Sequence, residues 1–322
     1  MDGAGGQRWL AARLPVHRGD VWADGNWGHG ALVMHWNGSR WSRVTVPGQS
    51  GFSLTEVRAS SASNVWLFGA DNNGEEGTIL RWNGSSWQDV PVPAGVIPNA
   101  AAVLNVSDVW MSGSQTGTGS GSNDACQTAL YHWNGSAWDS PDYVATAVDG
   151  ISGSGARNVW VVGESRHSTV TGNYTLAAYR WNGSAWVAPS MPAPRGGGEP
   201  GITVQSSANV WLFAWQAKKS SRGFLLHWNG TRWREIVAPR QMPASDELVT
   251  DGSGGLWAGP WAHWTGIRWV NTSPSVSFVG VNNSYNLHGL ARVPGRTRIW
   301  AAGLVSHTPS SSSWDSLIAQ YP

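Results

Sequence analysis

Few side chains in this sequence have the type and setting for acid–base or metal chemistry. Four of the nine histidines, His35, His132, His227 and His263, each stand directly before a Trp and belong to a repeat. His17, His29, His167, His288 and His307 lie outside it. His29, His167 and His307 fall in segments of variable length that also carry Asp24, Asp71, Glu75, Glu76, Asp124 and Glu164. Imidazole changes charge near neutral pH and is a common metal ligand, and a carboxylate beside it can share a proton or a coordination sphere. The candidate catalytic set is therefore His29, His167, His307, Glu75 and Glu164. Its members come from distant points of the chain, so spacing does not establish a site, and solvated loop residues are the plainer reading. No metal and no cofactor is expected. Asp71-Asn72-Asn73-Gly74-Glu75-Glu76 is oxygen-rich but lacks the full ligand spacing of a calcium loop. There is no Gly-Lys-Ser phosphate loop, no Gly-x-Ser-x-Gly and no Cys-x-x-Cys. The single cysteine, Cys126, excludes an internal disulfide and has no base beside it in sequence.

Tryptophan offers a second chemistry. Nineteen of the 24 Trp residues sit in two recurring signatures, which leaves Trp9, Trp27, Trp215, Trp261 and Trp314. The last four lie in the variable segments, where an exposed ring can stack on a sugar, an aromatic ligand or a cation. Trp27, Trp215, Trp261 and Trp314 are the candidate ligand-binding residues. The alternative is that they fold down as plugs on the scaffold.

The elements that must position these residues follow from the signatures. The first is Asp/Asn-Val-Trp, at Trp22, Trp66, Trp110, Trp160 and Trp211, with degenerate copies at Trp257 and Trp300. Successive gaps are 44, 44, 50, 51, 46 and 43 residues, and the 22 residues after Trp300 with the 22 up to Trp22 make one further period. A period of this size, four strands long and closing on itself, is that of β-propeller blades. The second signature is Trp-Asn-Gly-x-x-Trp, beginning at Trp36, Trp82, Trp133, Trp181 and Trp228, with a variant at Trp264. Asn-Gly favours a two-residue type I′ hairpin. That register sets Trp36 opposite Ser39, His35 opposite Arg40 and Met34 opposite Trp41, with Trp36 and Trp41 as diagonal neighbours. Turn chemistry explains the Asn-x-Ser/Thr pattern of these hairpins without glycosylation.

The expected fold is all-β: a seven-bladed β-propeller of four-stranded blades, in a single domain over residues 1–322. Residues 6–15 resemble an outer strand, since Pro15 follows Trp9 by six residues as Pro47 follows Trp41. The N-terminal strand is therefore expected to complete the last blade and close the ring. The competing placement makes residues 9–17 the inner strand of the first blade. The segments between second and third strands vary most in length and share one rim, which marks that rim for function.

Net charge is +1, which gives no strong field for nucleic acid or an anionic membrane. No apolar run approaches the ~18 residues of a membrane span. Charged residues are 13% of the chain, against about 25% in an average domain, with Gly, Ser, Asn and Trp in their place. That balance fits a secreted bacterial protein. Residues 1–20 show no apolar signal region, so the protein is cytoplasmic if Met1 is the native start.

The hairpin Ala129-Leu130-Tyr131-His132-Trp133-Asn134-Gly135-Ser136-Ala137-Trp138 resembles the repeat of bacterial seven-bladed propeller lectins of the tectonin and Photorhabdus type. The Asn/Asp-Val-Trp element resembles Trp-rich repeats of exported actinobacterial propellers. The resemblance implies Trp- or Tyr-lined sugar pockets between blades. It does not extend to the sialidase Asp box, the kelch Gly-Gly doublet or the WD40 Trp-Asp, which this chain lacks. The leading expectation is a ligand-binding module for a carbohydrate or other small molecule, using the variable rim or the clefts between blades. An enzyme with its site at the axial mouth, a glycan hydrolase or lyase or a small-metabolite cyclase, is the second. A protein partner on the variable rim is the third.

Overall fold

The computed structural model describes residues 9–15, 20–27, 30–115, 128–141, 147–168, 173–192, 197–216, 223–238, 248–258, 262–271, 284–292, 299–306 and 315–321. These residues form strands and turns without a helix, arranged as seven antiparallel sheets taken in chain order. Sheets 1 to 6 have four strands each and sheet 7 has three. The innermost strands are Trp9–Pro15, Phe52–Ser61, Val96–Asn105, Ala147–Gly155, Gly197–Ser206, Leu248–Thr250 and Ser284–Arg292. Each packs against the next, and Ser284–Arg292 packs against Trp9–Pro15, so the ring is closed and the protein is a β-propeller. The core lies between sheets rather than within one. In sheet 2 the second strand, Asn64–Asp71, is buried at every position but the last, because sheets on both sides cover it.

Trp9–Pro15 is the inner strand of sheet 1, with Trp9 opposite Asn26 and Pro15 opposite Val21. The expected ring closure by this segment as an outer strand of the last sheet is thus corrected. The four residues between Pro15 and Asp20 are ample, because in sheet 2 a two-residue turn already joins Ser61 to Asn64. A register shift between Ala12 and Pro15 absorbs the proline at the end of the strand. Sheet 7 is then left with Ser284–Arg292, Ile299–Ser306 and Asp315–Tyr321.

The hairpins also depart from the expected register. Trp36 stands directly opposite Trp41, and His35 opposite Ser42, so four residues make the connection instead of two. The same pairing joins Trp82 to Trp87, Trp133 to Trp138, Trp181 to Trp186, Trp228 to Trp233 and Trp264 to Trp269. The Asn side chain is the reason. Asn83 Oδ1 accepts from the Ser85 amide at 2.9 Å, the Ser85 hydroxyl at 2.8 Å and the Ser86 amide at 3.0 Å, closing a wider turn. Asn37, Asn134, Asn182 and Asn229 do the same for the residues that follow them. Gly84 adopts φ 101°, and an added Cβ would come within 2.8 Å of the Ser63 Cβ. The Asn-x-Ser/Thr pattern is therefore the pattern of this turn, the hydroxyl being a third donor to one oxygen. Asn83→Ala is expected to cost about 1 kcal/mol in chemical denaturation, with Ser85→Ala costing less than half of that.

Among the described residues, six of the seven junctions carry a Trp triplet. The second-strand Trp of one sheet meets the hairpin pair of the next at ring-centroid distances of 5.1 to 6.4 Å: Trp22 with Trp82 and Trp87, Trp66 with Trp133 and Trp138, Trp110 with Trp181 and Trp186, Trp160 with Trp228 and Trp233, and Trp300 with Trp36 and Trp41. Trp211 shares a core cluster with Trp264 and Trp269. Most contacts are edge-on or tilted, the geometry that ring quadrupoles favour.

Candidate functional site at the axial mouth

Second-strand Trp residues sit opposite the in-register histidines and arginines. Trp22 stacks on His35 at 4.3 Å, Trp110 on His132 at 4.3 Å, Trp211 on His227 at 4.1 Å and Trp257 on His263 at 4.4 Å. The Asp/Asn of the first signature then holds the His or the Trp. His35 meets Asp20 at 2.7 Å, His132 meets Asp108 at 2.9 Å and His227 meets Asn209 at 2.9 Å. In sheet 2, Asn64 Oδ1 accepts from both Trp66 Nε1 and Arg81 Nε. In sheet 6 Gly255 replaces that Asp/Asn, and Asp251 from the preceding turn takes over at 2.9 Å from His263. Burial alone would raise the Asp251 carboxyl; hydrogen bonds from Ser253, His263 and Gly255 outweigh it and hold the group below the usual carboxylate range. Burial, helped by the Arg234 charge, lowers His227. Each of these histidines is thus stacked on a Trp and hydrogen-bonded within its own sheet.

The open polar volume lies elsewhere, on the axis. Several inner strands carry a register shift a few residues from the start, at Thr55, Asn99 and Asp149, between Gly198 and Gly201, and at His288. Phe52, the first residue of its inner strand, pairs with Asp71 at the far end of the second strand, so the shifts lie toward the rim of the variable segments. A bulge turns its residue away from the ladder. Thr55, Asn99 and Asp149 are accordingly exposed, while Leu54, Glu56, Pro98, Ala100 and Val148 beside them are buried. All three line an axial cavity of about 520 Å³, together with Glu56, Arg58, Ser152, Thr203, Thr250 and Arg292.

Polar side chains also stitch the ring around this cavity. Inner strands of neighbouring sheets do not form a ladder, so their backbone groups need other partners. The Asn26 amide exchanges two hydrogen bonds with the backbone of Leu54, at 2.8 and 3.1 Å. Glu56 accepts from the Ala101 amide at 2.6 Å, and Arg58, ion-paired with Glu56, donates to the Ala101 carbonyl at 2.9 Å. Val204 donates to Ser152 Oγ at 3.0 Å.

Of the residues singled out from sequence, His29, His307, Trp261 and Trp314 lie outside the described residues. Trp27, Glu164, His167 and Trp215 were expected in loops, and instead their backbones extend the second strands: Trp27 opposite Gly30, Glu164 opposite Leu176 and Trp215 opposite Gly223, with His167 inside Asn158–Ser168. Their side chains are outside the described residues. Asp24 is 2% exposed and so does not belong to a solvated rim. Glu75 is exposed in a turn whose amides, with that of Glu76, bind Asp71 Oδ1 and lower the Asp71 carboxyl; it does not reach the axis. Among the described residues no three His, Cys, Asp or Glu side chains converge as metal ligands. Thr55, Asn99 and Asp149 escaped sequence reasoning. Their only signal is a polar residue between two residues that the alternation buries.

No protein-family model matches this sequence, and no curated protein matches it significantly. Solved structures do. YCF48 bound to a D1 peptide superimposes with a TM-score of 0.60 at 15% identity, over 97% of this chain and 98% of that one. YCF48 from Cyanidioschyzon merolae gives 0.57 at 14% identity, over 94% of each chain. The fucose-recognising six-bladed lectin of the fungus Aleuria aurantia gives 0.53 at 10% identity, over 99% of this chain and 96% of that one. At these identities the likeness is one of β-propeller fold.

Proposed function

We propose that this protein is a non-catalytic ligand-binding propeller that takes a carbohydrate at the axial mouth. The observation that carries this reading is the cavity lined by the exposed bulge residues Thr55, Asn99 and Asp149. Thr55 Oγ1 donates to the Phe68 carbonyl at 3.1 Å and Asn99 Nδ2 donates to Ser114 Oγ at 3.0 Å, so a sugar hydroxyl would meet the hydrogen-bonding capacity these held side chains keep, beside the Asp149 carboxylate. The repeat Trp residues belong to the sheet framework, which leaves Trp9, Trp27, Trp215, Trp261 and Trp314 as rings to stack on a sugar face, the last four being the ones singled out from sequence. Fucose recognition by the Aleuria lectin and the likeness of the hairpin repeat to seven-bladed tectonin-type lectins support the ligand class. Peptide binding by YCF48 supports a protein partner at the same rim as the competing reading. An exported bacterial protein is the setting this ligand fits. Of the enzyme candidates only Glu75 has a described side chain, and it does not line the axial cavity.

Calorimetric titration with a panel of mono- and oligosaccharides tests the reading. One site per chain is expected, with Asn99→Ala and Asp149→Ala each weakening affinity about tenfold. Unchanged affinity in both variants, or no sugar bound at all, would reject it. Several equivalent sites would move binding to the junctions.

A further inference from the structure

We propose that the ligand of the axial cavity is an acidic saccharide, whose carboxylate is held by Arg292 at the end of the cavity away from the bulge residues. The inference rests on the axial reading above and names the chemical class of its ligand.

The charged side chains that line the cavity are Glu56, Arg58, Asp149 and Arg292. Glu56 and Arg58 neutralise each other, and both are bonded to the backbone of Ala101. Arg292 is half-buried and pairs with no carboxylate among the described residues. Its Nη1 donates a long hydrogen bond to the Asp251 carbonyl, at 3.4 Å. The Asp251 carboxylate is already taken by the amides of Ser253 and Gly255 and by His263. A guanidinium has several N–H donors in one plane, so most of those on Arg292 remain for a ligand.

Register fixes the depth of this charge. Arg292 pairs with Ile299, the residue before the second-strand Trp. At the same level on other inner strands stand Val103, Gly153, Val204 and Thr250, which pair with Val109, Val159, Val210 and Leu256. All four line the cavity, and only Thr250 among them has a polar side chain. A cation between apolar walls is screened less than one in open water, so its attraction for an anion is stronger there. Asn99 and Asp149 lie four residues before Val103 and Gly153. That separation is about 13 Å at roughly 3.3 Å per residue, which a chain of sugar rings spans and a single ring does not.

The guanidinium is also held in place. Gly252, at φ 82° in the turn before the second strand of sheet 6, packs against it, and a Cβ there would collide with Nη1. A planar fork fixed at the end of a cavity suits a carboxylate, which it can bind through two parallel hydrogen bonds. The acid end of the saccharide then lies at Arg292, and the rings beyond it lie against Thr55, Asn99 and Asp149.

Calorimetry on the full chain tests this with trimers of galacturonate, glucuronate and mannuronate, each beside its methyl ester. The ester keeps the rings and linkages and removes the charge. At least one acid is expected to bind at one per chain, about tenfold more tightly than its ester, with the difference shrinking as salt is added. This ratio is read on the unaltered chain and does not depend on any variant folding. Arg292→Gln should abolish the preference for acid over ester, and Arg292→Lys should keep only part of it, with melting curves confirming that both fold. Neutral sugars bound as tightly as the acids, or an acid preference that survives Arg292→Gln, would overturn the inference and leave the carbohydrate reading standing. Failure of every sugar, acidic or neutral, would remove the carbohydrate reading itself. Acetyl-triglycine bound in preference to its amide, in an Arg292-dependent way and with no uronate bound, would assign the carboxylate to a peptide terminus and reject the saccharide.

Discussion

Replacing Trp160 with Ala is expected to lower stability by about 4 kcal/mol, a large part of the roughly 5–15 kcal/mol that holds an ordinary domain. The side chain is fully buried at the junction of sheets 4 and 5. Its indole meets Trp228 at 5.5 Å and Trp233 at 5.3 Å, nearly edge-on to both, within a cluster that also holds Val162, Leu176, Leu212 and Leu226. Trp160 Nε1 donates to Asn158 Oδ1 at 3.0 Å, so the truncation also deprives a buried acceptor of its donor. Strand backbones on both sides are held by their ladders and cannot close the space left behind, so a cavity remains. Trp186, half-buried on an outer strand, makes the comparison: Trp186→Ala should cost about 2 kcal/mol. Denaturant titrations followed by circular dichroism measure both. A loss under 2 kcal/mol for Trp160→Ala, or equal losses for the two variants, would mean that the triplet is not the unit that joins the sheets.

The period of those Trp residues made the propeller legible before any coordinates. A ring of sheets needs one large apolar anchor at every junction, and a regularly spaced anchor is visible in a linear chain. Residues whose role depends on which neighbour they meet were less legible. Trp9–Pro15 has the Trp-to-Pro spacing of an outer strand, yet it pairs at the axis, because spacing within one strand does not report its place in a sheet. The Asn-Gly segments were identified as hairpins but in neither turn type nor register, since the Asn side chain competes with the backbone for the turn amides. Asp251 was invisible as the partner of His263 because it replaces a signature residue from the turn that precedes the strand. The axial site was the least legible part. A bulge adds one residue to a strand and redirects its side chain, and nothing in Thr55, Asn99 or Asp149 marks them in isolation. Their common depth on neighbouring inner strands appears only when the strands are set side by side.

The same inner strands carry the second large effect. Glu56 is 2% exposed, and its pair with Arg58 forms around the backbone of Ala101 on the next sheet. The carboxylate takes the Ala101 amide and the guanidinium takes the carbonyl, so the two charges stand in for a ladder that the ring geometry does not allow. Arg58→Ala leaves a buried carboxylate without its counter-charge and should cost about 3 kcal/mol. Glu56→Ala leaves the Ala101 amide and Arg58 without their partner and should cost a similar amount. Each single change already breaks the unit, so the double variant should lose much less than the two added together, with a coupling of at least about 1 kcal/mol. Because Glu56 and Arg58 line the cavity beside Thr55 and lock onto the strand that holds Asn99, the variants that still fold should also bind ligand more weakly at the axial mouth. Additive losses would show that each residue holds the ring separately. Full ligand affinity in a folded Arg58→Ala chain would show that the stitch between sheets 2 and 3 does not position the bulge residues, and that the axial site draws its shape from within each sheet.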